Sequence, residues 1–86
     1  MRYQVMTDVP PEEVLARAKR FYEDHTHMEL EEETGDSVAF RGDIGRARLR
    51  VDREHNCTNV HAETDRVVGL DVTDVTKRFL YTLERA

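Results

Sequence analysis

Four consecutive segments in the middle of the chain alternate apolar and polar residues, and this pattern constrains the fold more than any other feature. A period of two is typical of β-strands with one buried face, because successive side chains point to opposite sides of a sheet. Turn sequences separate the segments at residues 34–37, 42–45 and 53–56. The pattern therefore predicts four antiparallel strands joined as hairpins. Their inward-facing residues are Met28 and Leu30, then Val38 and Phe40, then Ala47, Leu49 and Val51, and last Thr58, Val60 and Ala62.

A fifth strand and two helices flank these segments. Tyr3, Val5 and Thr7 alternate with their neighbours, which predicts a strand at the N-terminus. A helix is predicted to open at residues 10–13, since proline is tolerated in a first turn and glutamate favours the positive end of the helix dipole. It should end near Asp24. Its apolar stripe consists of Val14, Leu15, Ala18, Phe21 and Tyr22.

The last segment has the pattern of a second amphipathic helix. It is predicted to begin at about Val72, with Asp71 as its N-cap, because an aspartate side chain accepts hydrogen bonds from the first free N–H groups. Tyr81 falls away from the apolar face and is expected to be exposed. That face comprises Val72, Val75, Phe79, Leu80 and Leu83.

Pairing the four segments as hairpins tests whether their apolar faces agree, because a slip of one residue would reverse every side chain. Apart from Glu32 and Ala39, the apolar residues of these rows fall on one face of the sheet in this register and the charged residues on the other. One inner row is expected to contain Leu30, Phe40, Ala47 and Ala62, and the next Glu32, Val38, Leu49 and Val60. The outer rows are expected to contain Glu29, Arg41, Arg46 and Glu63, and then Glu31, Ala39, Arg48 and His61.

The predicted architecture is an α+β two-layer sandwich of order β-α-β-β-β-β-α, with a curved five-stranded antiparallel sheet carrying both helices on one face. This order, with the Pro10-Pro11-Glu12-Glu13 opening and the capped C-terminal helix, resembles the helix-grip and TATA-binding-protein-like folds. The resemblance is topological and covers the whole chain. It implies a minimal relative of lipid- and hormone-binding helix-grip proteins, without the extra strands that enclose their ligand cavity.

Size and charge exclude several classes of protein. The 86 residues suffice for one domain, residues 1–86, with a small core that favours assistance from self-association. The 13 basic against 18 acidic residues give a net charge of −5, which argues against nucleic acid as a partner. The arginine bias among the basic residues is compatible with salt adaptation or with genome composition. No apolar run approaches a membrane span and no signal segment is present, so we expect a cytoplasmic protein with no membrane partner.

Histidine and cysteine do not combine into a predicted metal or catalytic site. Cys57 and His61 lie on one strand face, but four residues apart they are separated by roughly 13 Å. Zinc needs three or four ligands at about 2.0–2.3 Å, and a Cys–His catalytic pair needs hydrogen-bond reach. Cys57 also lacks a second cysteine for a disulfide. We therefore predict no metal, no cofactor and no catalytic residue.

An arginine-rich region on the polar sheet face is the most distinctive candidate site. It comprises Arg46, Arg48, Arg50, Asn59 and His61. Guanidinium groups bind phosphate and carboxylate through paired hydrogen bonds, so one interpretation is an anion site or an interface. The other interpretation is a ladder of ion pairs with glutamates on neighbouring strands, which would be worth about 0.2–1 kcal/mol each. The sequence leaves both open.

Aromatic residues give a second candidate site. Tyr3, Tyr22, Phe40 and Phe79 all fall on faces predicted to lie between helices and sheet. They could line a pocket for a small apolar or amphipathic ligand, or they could be needed for packing. The leading functional expectation is a non-catalytic binding module that self-associates or binds a protein partner through the sheet face or a sheet edge. A carrier or sensor of a small apolar ligand is the alternative.

Overall fold

Five strands pair into one antiparallel sheet, with two helices packed on one face, in a computed structural model that describes residues 2–42, 45–66 and 71–84. The strand order across the sheet is β1-β5-β4-β3-β2, so β1 and β2 form its two edges. The predicted α+β class and the β-α-β-β-β-β-α order are confirmed. The elements are β1 (Arg2–Thr7), α1 (Pro11–His25), β2 (Glu29–Glu33), β3 (Ser37–Gly42), β4 (Gly45–Glu54), β5 (Cys57–Arg66) and α2 (Asp71–Glu84).

Helix α1 begins and ends as its sequence signals indicate. Pro11 is its first residue, followed by two glutamates in the first turn. The helix ends at His25, one residue beyond the predicted end. Thr26 adopts an extended backbone, which stops the helix. Both its N–H (3.0 Å) and its Oγ1 hydroxyl (2.5 Å) donate to the carbonyl oxygen of Tyr22, one of the last carbonyls of the helix.

One apolar core fills the space between the helices and the sheet. The α1 stripe is buried apart from Phe21, which is half-buried, and Tyr81 of α2 is exposed as predicted. Burial of these groups is the main source of stability for a domain of this size. The core comprises Val9, Val14, Leu15, Ala18, Tyr22, Met28, Val38, Phe40, Ala47, Leu49, Val51, Val60, Ala62, Phe79, Leu80 and Leu83.

Buried threonines connect the two layers within this core. The Thr7 hydroxyl of β1 donates to the carbonyl of Leu83 at the end of α2 (3.1 Å). Thr76, on α2, is fully buried and hydrogen-bonded to the Tyr22 hydroxyl of α1. Since a buried hydroxyl is costly without a partner, these bonds restrict how the helices can sit on the sheet. The sequence pattern, which followed only apolar residues, did not identify Thr76 as a core residue.

The predicted register is correct for the β3–β4 pair and is wrong by two residues for the β4–β5 pair. Ala47 faces Thr64, and Ala62 faces Leu49. The cause is the turn: only His55 and Asn56 form it, both with positive φ (51° and 69°). A two-residue turn of this kind matches the strand twist, and it moves the hairpin centre by one position. A two-residue change of partner keeps every side chain on its predicted face.

A bulge in β2 changes the faces of the glutamates at this edge. Leu30 faces Phe40 as predicted, but Glu32 faces Ala39 and Glu33 takes the predicted place of Glu32 opposite Val38. The carboxylate of Glu33 lies 2.6 Å from Lys19 Nζ on α1. An ion pair to the helix therefore accompanies a glutamate at the margin of the apolar face. β2 is also shorter than predicted, since it begins at Glu29 rather than His27.

Two predicted features lie outside the described residues. These are the central residues of the turn at 42–45, namely Asp43 and Ile44, and the side chains of Asp71 and Val72 in the first turn of α2.

Candidate functional site

The face of the sheet opposite the helices carries charged side chains in ordered rows. One row reads acid, base, base, acid across four strands, because each strand contributes its outward-facing residue at that level. Ion pairs of 3.5–3.9 Å connect several members. The rows are Glu29, Arg41, Arg46 and Asp65; Glu32, Ala39, Arg48, Glu63 and Arg2; and Ser37, Arg50, His61 and Gln4.

Arg46 has partners that separate it from the other arginines of its strand. The Glu31 carboxylate, at the β2 bulge, lies on this face 3.7 Å from Arg46 and 3.9 Å from Arg41. Glu32 faces Arg48 at 3.5 Å. The sequence pattern instead predicts Glu63 beside Arg46 and Glu31 beside Arg48. Both differences follow from the bulge and from the corrected β4–β5 register.

A depression of about 480 Å³ lies on this face towards the β1 edge of the sheet. It is formed by β1, β4 and β5 and is named here the basic depression. Three arginines and one glutamate line it, which gives a formal charge of +2 with its histidine neutral. Its lining residues are Arg2, Tyr3, Gln4, Arg48, Arg50, His61 and Glu63.

Only weak, exposed ion pairs hold the arginine side chains of the basic depression in place. Arg2 lies 3.5 Å from Glu63, and Arg50 lies 3.7 Å from Asp52. More than half of each arginine side chain, Arg48 included, remains exposed. Exposed ion pairs contribute at most about 1 kcal/mol, since water competes for both charges. These guanidinium groups are therefore available to a ligand that offers better hydrogen-bond geometry.

Asp52 lies at the centre of a hydrogen-bond network on the polar face, next to the basic depression. It accepts hydrogen bonds from the Asn59 amide (3.1 Å) and contacts His61 Nε2 (3.1 Å). Asn59 is only 3% exposed and donates a second hydrogen bond to Glu54 (2.8 Å). The Asn59 amide, with smaller contributions from His61 and Arg50, holds the pKa of the Asp52 carboxyl below its usual value. The network thereby fixes His61 at the rim of the basic depression.

The five residues predicted for an anion site or interface thus separate into two groups. Arg48, Arg50 and His61 line the basic depression. Arg46 lies outside it, and Asn59 lies beneath the charged network. Sequence analysis missed Arg2, because the alternation pattern assigns faces and does not reveal that β1 lies beside β5. The alternation of Arg2 with Tyr3 was a usable signal, since it already placed Arg2 on the polar face.

Three of the four aromatic residues predicted to bind a ligand pack against one another. Tyr22 stacks on Phe40 with ring centres 4.4 Å apart, and its ring centre lies 6.4 Å from that of Phe79. All three are buried. Burial raises the pKa of the Tyr22 hydroxyl to about 12, although the hydrogen bond with Thr76 acts in the opposite direction. Tyr3 is half-buried, and Lys77 Nζ lies 5.5 Å from its ring centre.

A second and larger depression, of about 1070 Å³, opens at the β2 edge between the ends of the helices and the sheet. It is named here the edge depression. Apolar side chains of Met28, Leu30 and Val75 contribute to it. Its charged lining residues are Arg41, Arg78, Glu29, Glu31 and Asp74. Tyr22, Phe40 and Phe79 are not among its described lining residues.

Histidine, cysteine and acidic side chains do not form a group of three with metal-binding geometry anywhere in residues 2–42, 45–66 and 71–84. Neither described helix is long and apolar enough to cross a membrane. A comparison of the sequence with models of known protein families gives no match, and a comparison with curated proteins gives none either.

Proposed function

We propose that this protein is a small non-catalytic binding module that self-associates by pairing β1 with β1 of a second copy. The observation that carries the proposal is the difference between the two edges of the sheet. An edge strand presents unpaired backbone N–H and C=O groups, and a second copy can satisfy them by extending the sheet. The proposal keeps the expected cytoplasmic location.

The β2 edge opposes pairing with another copy of itself. Its sequence, Glu29–Glu33, contains four glutamates, and all five residues are exposed. Two such strands side by side would bring like charges into opposition, which destabilises a sheet. Acidic residues on an edge are one of the ways by which proteins prevent association there.

The β1 edge lacks this protection. Among its residues, Arg2–Thr7, only Arg2 is charged. Met6 is 56% exposed, although it is a large apolar residue, while Tyr3 and Val5 are half-buried at the margin of the core. Pairing with β1 of a second copy would remove part of this apolar surface from water. The added burial would stabilise a domain whose own core is small.

Association through the charged sheet face is a weaker alternative. A face-to-face contact would bury the rows that contain Arg41, Arg46 and Arg48 together with their glutamate partners. Removing charges from water costs several kcal/mol per ion before pairing compensates. Edge pairing leaves these groups hydrated.

Matched substitutions at the two edges test the proposal. Met6→Lys places a charge on β1, and Leu30→Lys places one on β2, where Leu30 is 45% exposed. Sedimentation equilibrium at tens of micromolar should give a dimer for the wild type and for L30K, and a monomer for M6K. A monomeric wild type, or equal dissociation of the two variants, would contradict pairing through β1.

The edge depression supports a second candidate function, the binding of a small amphipathic ligand. Its apolar side chains lie among both basic and acidic groups, an arrangement that suits a ligand with an apolar body and a polar end. The topological resemblance to ligand-binding helix-grip proteins is consistent with this. Titration with 1-anilinonaphthalene-8-sulfonate tests it: Leu30→Asp should abolish the fluorescence increase and Met6→Asp should not. Equal fluorescence from both variants would exclude the site.

A further inference from the structure

We propose that the basic depression binds the dianionic phosphate group of a small phosphate monoester, held by Arg2, Arg48 and Arg50. Arg48 and Arg50 lie on β4, separated from the β1 edge by β5, and Arg2 lies on β1, so the site adjoins the edge proposed for self-association without depending on that pairing.

Strand pairing places the relevant side chains as a block of two rows and three strands. Arg48, Glu63 and Arg2 form one row. Arg50, His61 and Gln4 form the next row. Neighbours along a strand face are about 7 Å apart and directly opposed residues about 5 Å apart, so the long arginine side chains from both sides can reach one point above the block.

The chemistry of the lining favours a phosphate group. Each guanidinium presents paired N–H donors in a plane, which suits the oxygens of phosphate. Three arginines against Glu63 leave a local positive charge in a chain whose net charge is −5. His61, held by Asp52 at 3.1 Å, adds a ring nitrogen at the rim.

The size of the ligand follows from charge and volume. An extended polyanion would meet the acidic surface around the depression, where Glu32, Asp52 and Asp65 lie on the same face. A compact dianion can contact the three guanidinium groups without extending over these carboxylates, and screening weakens its repulsion by acidic groups more than about 8–10 Å away. The volume of about 480 Å³ leaves room for an organic group beside Gln4. A small monoester therefore fits better than a nucleic-acid strand.

Existing ion pairs do not block the site. The contacts of the three arginines with Glu63, Glu32 and Asp52 are 3.5–3.7 Å long and exposed. Each is worth little in water, and a dianion that accepts hydrogen bonds from several guanidinium groups at once can replace them. Among the described lining residues, Glu63 is the one that opposes an anion.

Isothermal titration with phenyl phosphate and with inorganic phosphate tests the assignment. Arg50→Gln should weaken binding of the ester about tenfold. Arg46→Gln, the same change on the same strand and face but outside the depression, should change it less than twofold. Glu63→Gln should strengthen binding several-fold, which damage to the fold would not do.

Three results would overturn the proposal. One is an absence of heat from the wild type at millimolar ester. Another is an equal loss in R46Q and R50Q, which would indicate general electrostatic attraction. The third is weaker binding in E63Q. Binding of inorganic phosphate as tightly as the ester would exclude a role for the organic group and so contradict the monoester assignment.

Discussion

The Tyr22 hydroxyl of α1 is hydrogen-bonded to the Thr76 hydroxyl of α2 inside the apolar core, where neither residue is exposed. This pair joins the two helices where the Tyr22 ring packs against Phe40 and Phe79. Because ionisation would place an unpaired negative charge there, the contact also makes the stability of the fold depend on alkaline pH.

Tyr22→Phe should remove a component of the alkaline unfolding. The folded pKa of about 12 lies above the unfolded value of about 10. The neutral form is therefore favoured by folding, so this stability is complete below pH 10 and is lost as the pH rises towards 12. At pH 11 the loss should be about 1.4 kcal/mol. Urea unfolding at pH 8 and 11 measures it, and parallel pH profiles for wild type and Y22F would contradict the prediction.

The ion pair between Lys19 and Glu33 should show a measurable coupling. A double-mutant cycle with K19A and E33A should give about 0.5–1 kcal/mol at low salt, since the side chains are about 40% exposed and 2.6 Å apart. The coupling should fall in 1 M salt, where the Debye length is about 3 Å. The pair of Glu13 and Arg17, at 3.4 Å within one helix, serves as a control with a smaller coupling. A salt-independent value for Lys19 and Glu33 would show that it is not electrostatic.

Gly42→Ala should destabilise the protein, while Gly35→Ala should have little effect. A Cβ at Gly42 would lie 3.0 Å from Met28 Cγ and 3.2 Å from its Cα, so the backbone before β2 would have to move. Such overpacking costs about 1–3 kcal/mol. A Cβ at Gly35 meets nothing within 4 Å. Thermal unfolding of both variants gives the comparison, and equal midpoints would contradict it.

The turn of His55 and Asn56 should be sensitive to the residue at its second position. Asn56 has a φ of 69°, which asparagine tolerates and β-branched residues do not. Asn56→Val should cost about 1–2 kcal/mol, and Asn56→Gly should stabilise by up to about 1 kcal/mol. Arg53→Val, on the neighbouring strand with ordinary φ, is the control and should be close to neutral. Urea denaturation measures all three.

Asn59→Ala should raise the pKa of Asp52. The Asn59 amide is the largest cause of the lowered value, and it also bridges Asp52 to Glu54. A lowered carboxyl pKa contributes stability above the ordinary value of about 3.9, and this contribution is lost as the pH falls through the folded pKa. Carboxyl NMR titration should show the shift in N59A and a smaller one in Arg50→Gln. An unchanged Asp52 titration in N59A would refute the assigned cause.

The two-layer fold was predictable because its signals are local. Alternation of Ala47, Leu49 and Val51 with arginines assigns each side chain to a face without knowledge of its partner. The stripes of α1 and α2 do the same for the helices. Burial of most of the predicted inward-facing residues confirms this part of the interpretation, with the exception of Leu30 on the edge strand β2, which is 45% exposed.

The cross-strand partner of each residue was less predictable than the sheet face on which its side chain lies. A slip of two residues preserves every face, so the sequence pattern could not distinguish Ala47 opposite Ala62 from Ala47 opposite Thr64. The turn geometry at Asn56 decides between them. In the same way, alternation did not reveal the β2 bulge that sends Glu32 to the polar face and Glu33 towards Lys19.

For the candidate site, too, the sequence determined the face of each side chain and the tertiary structure determined its neighbours. Successive side chains of a strand alternate between the two faces of the sheet, and this alternation is a local property. The sequence alone therefore placed Arg48, Arg50 and His61 on one polar face. The tertiary structure places Arg2 beside them, because β1 pairs with β5. It also places Arg46 next to Glu31. These contacts join residues far apart in the chain. The geometry of these contacts depends on the strand order, on the bulge in β2 and on the turn between β4 and β5. No single segment of the chain specifies it.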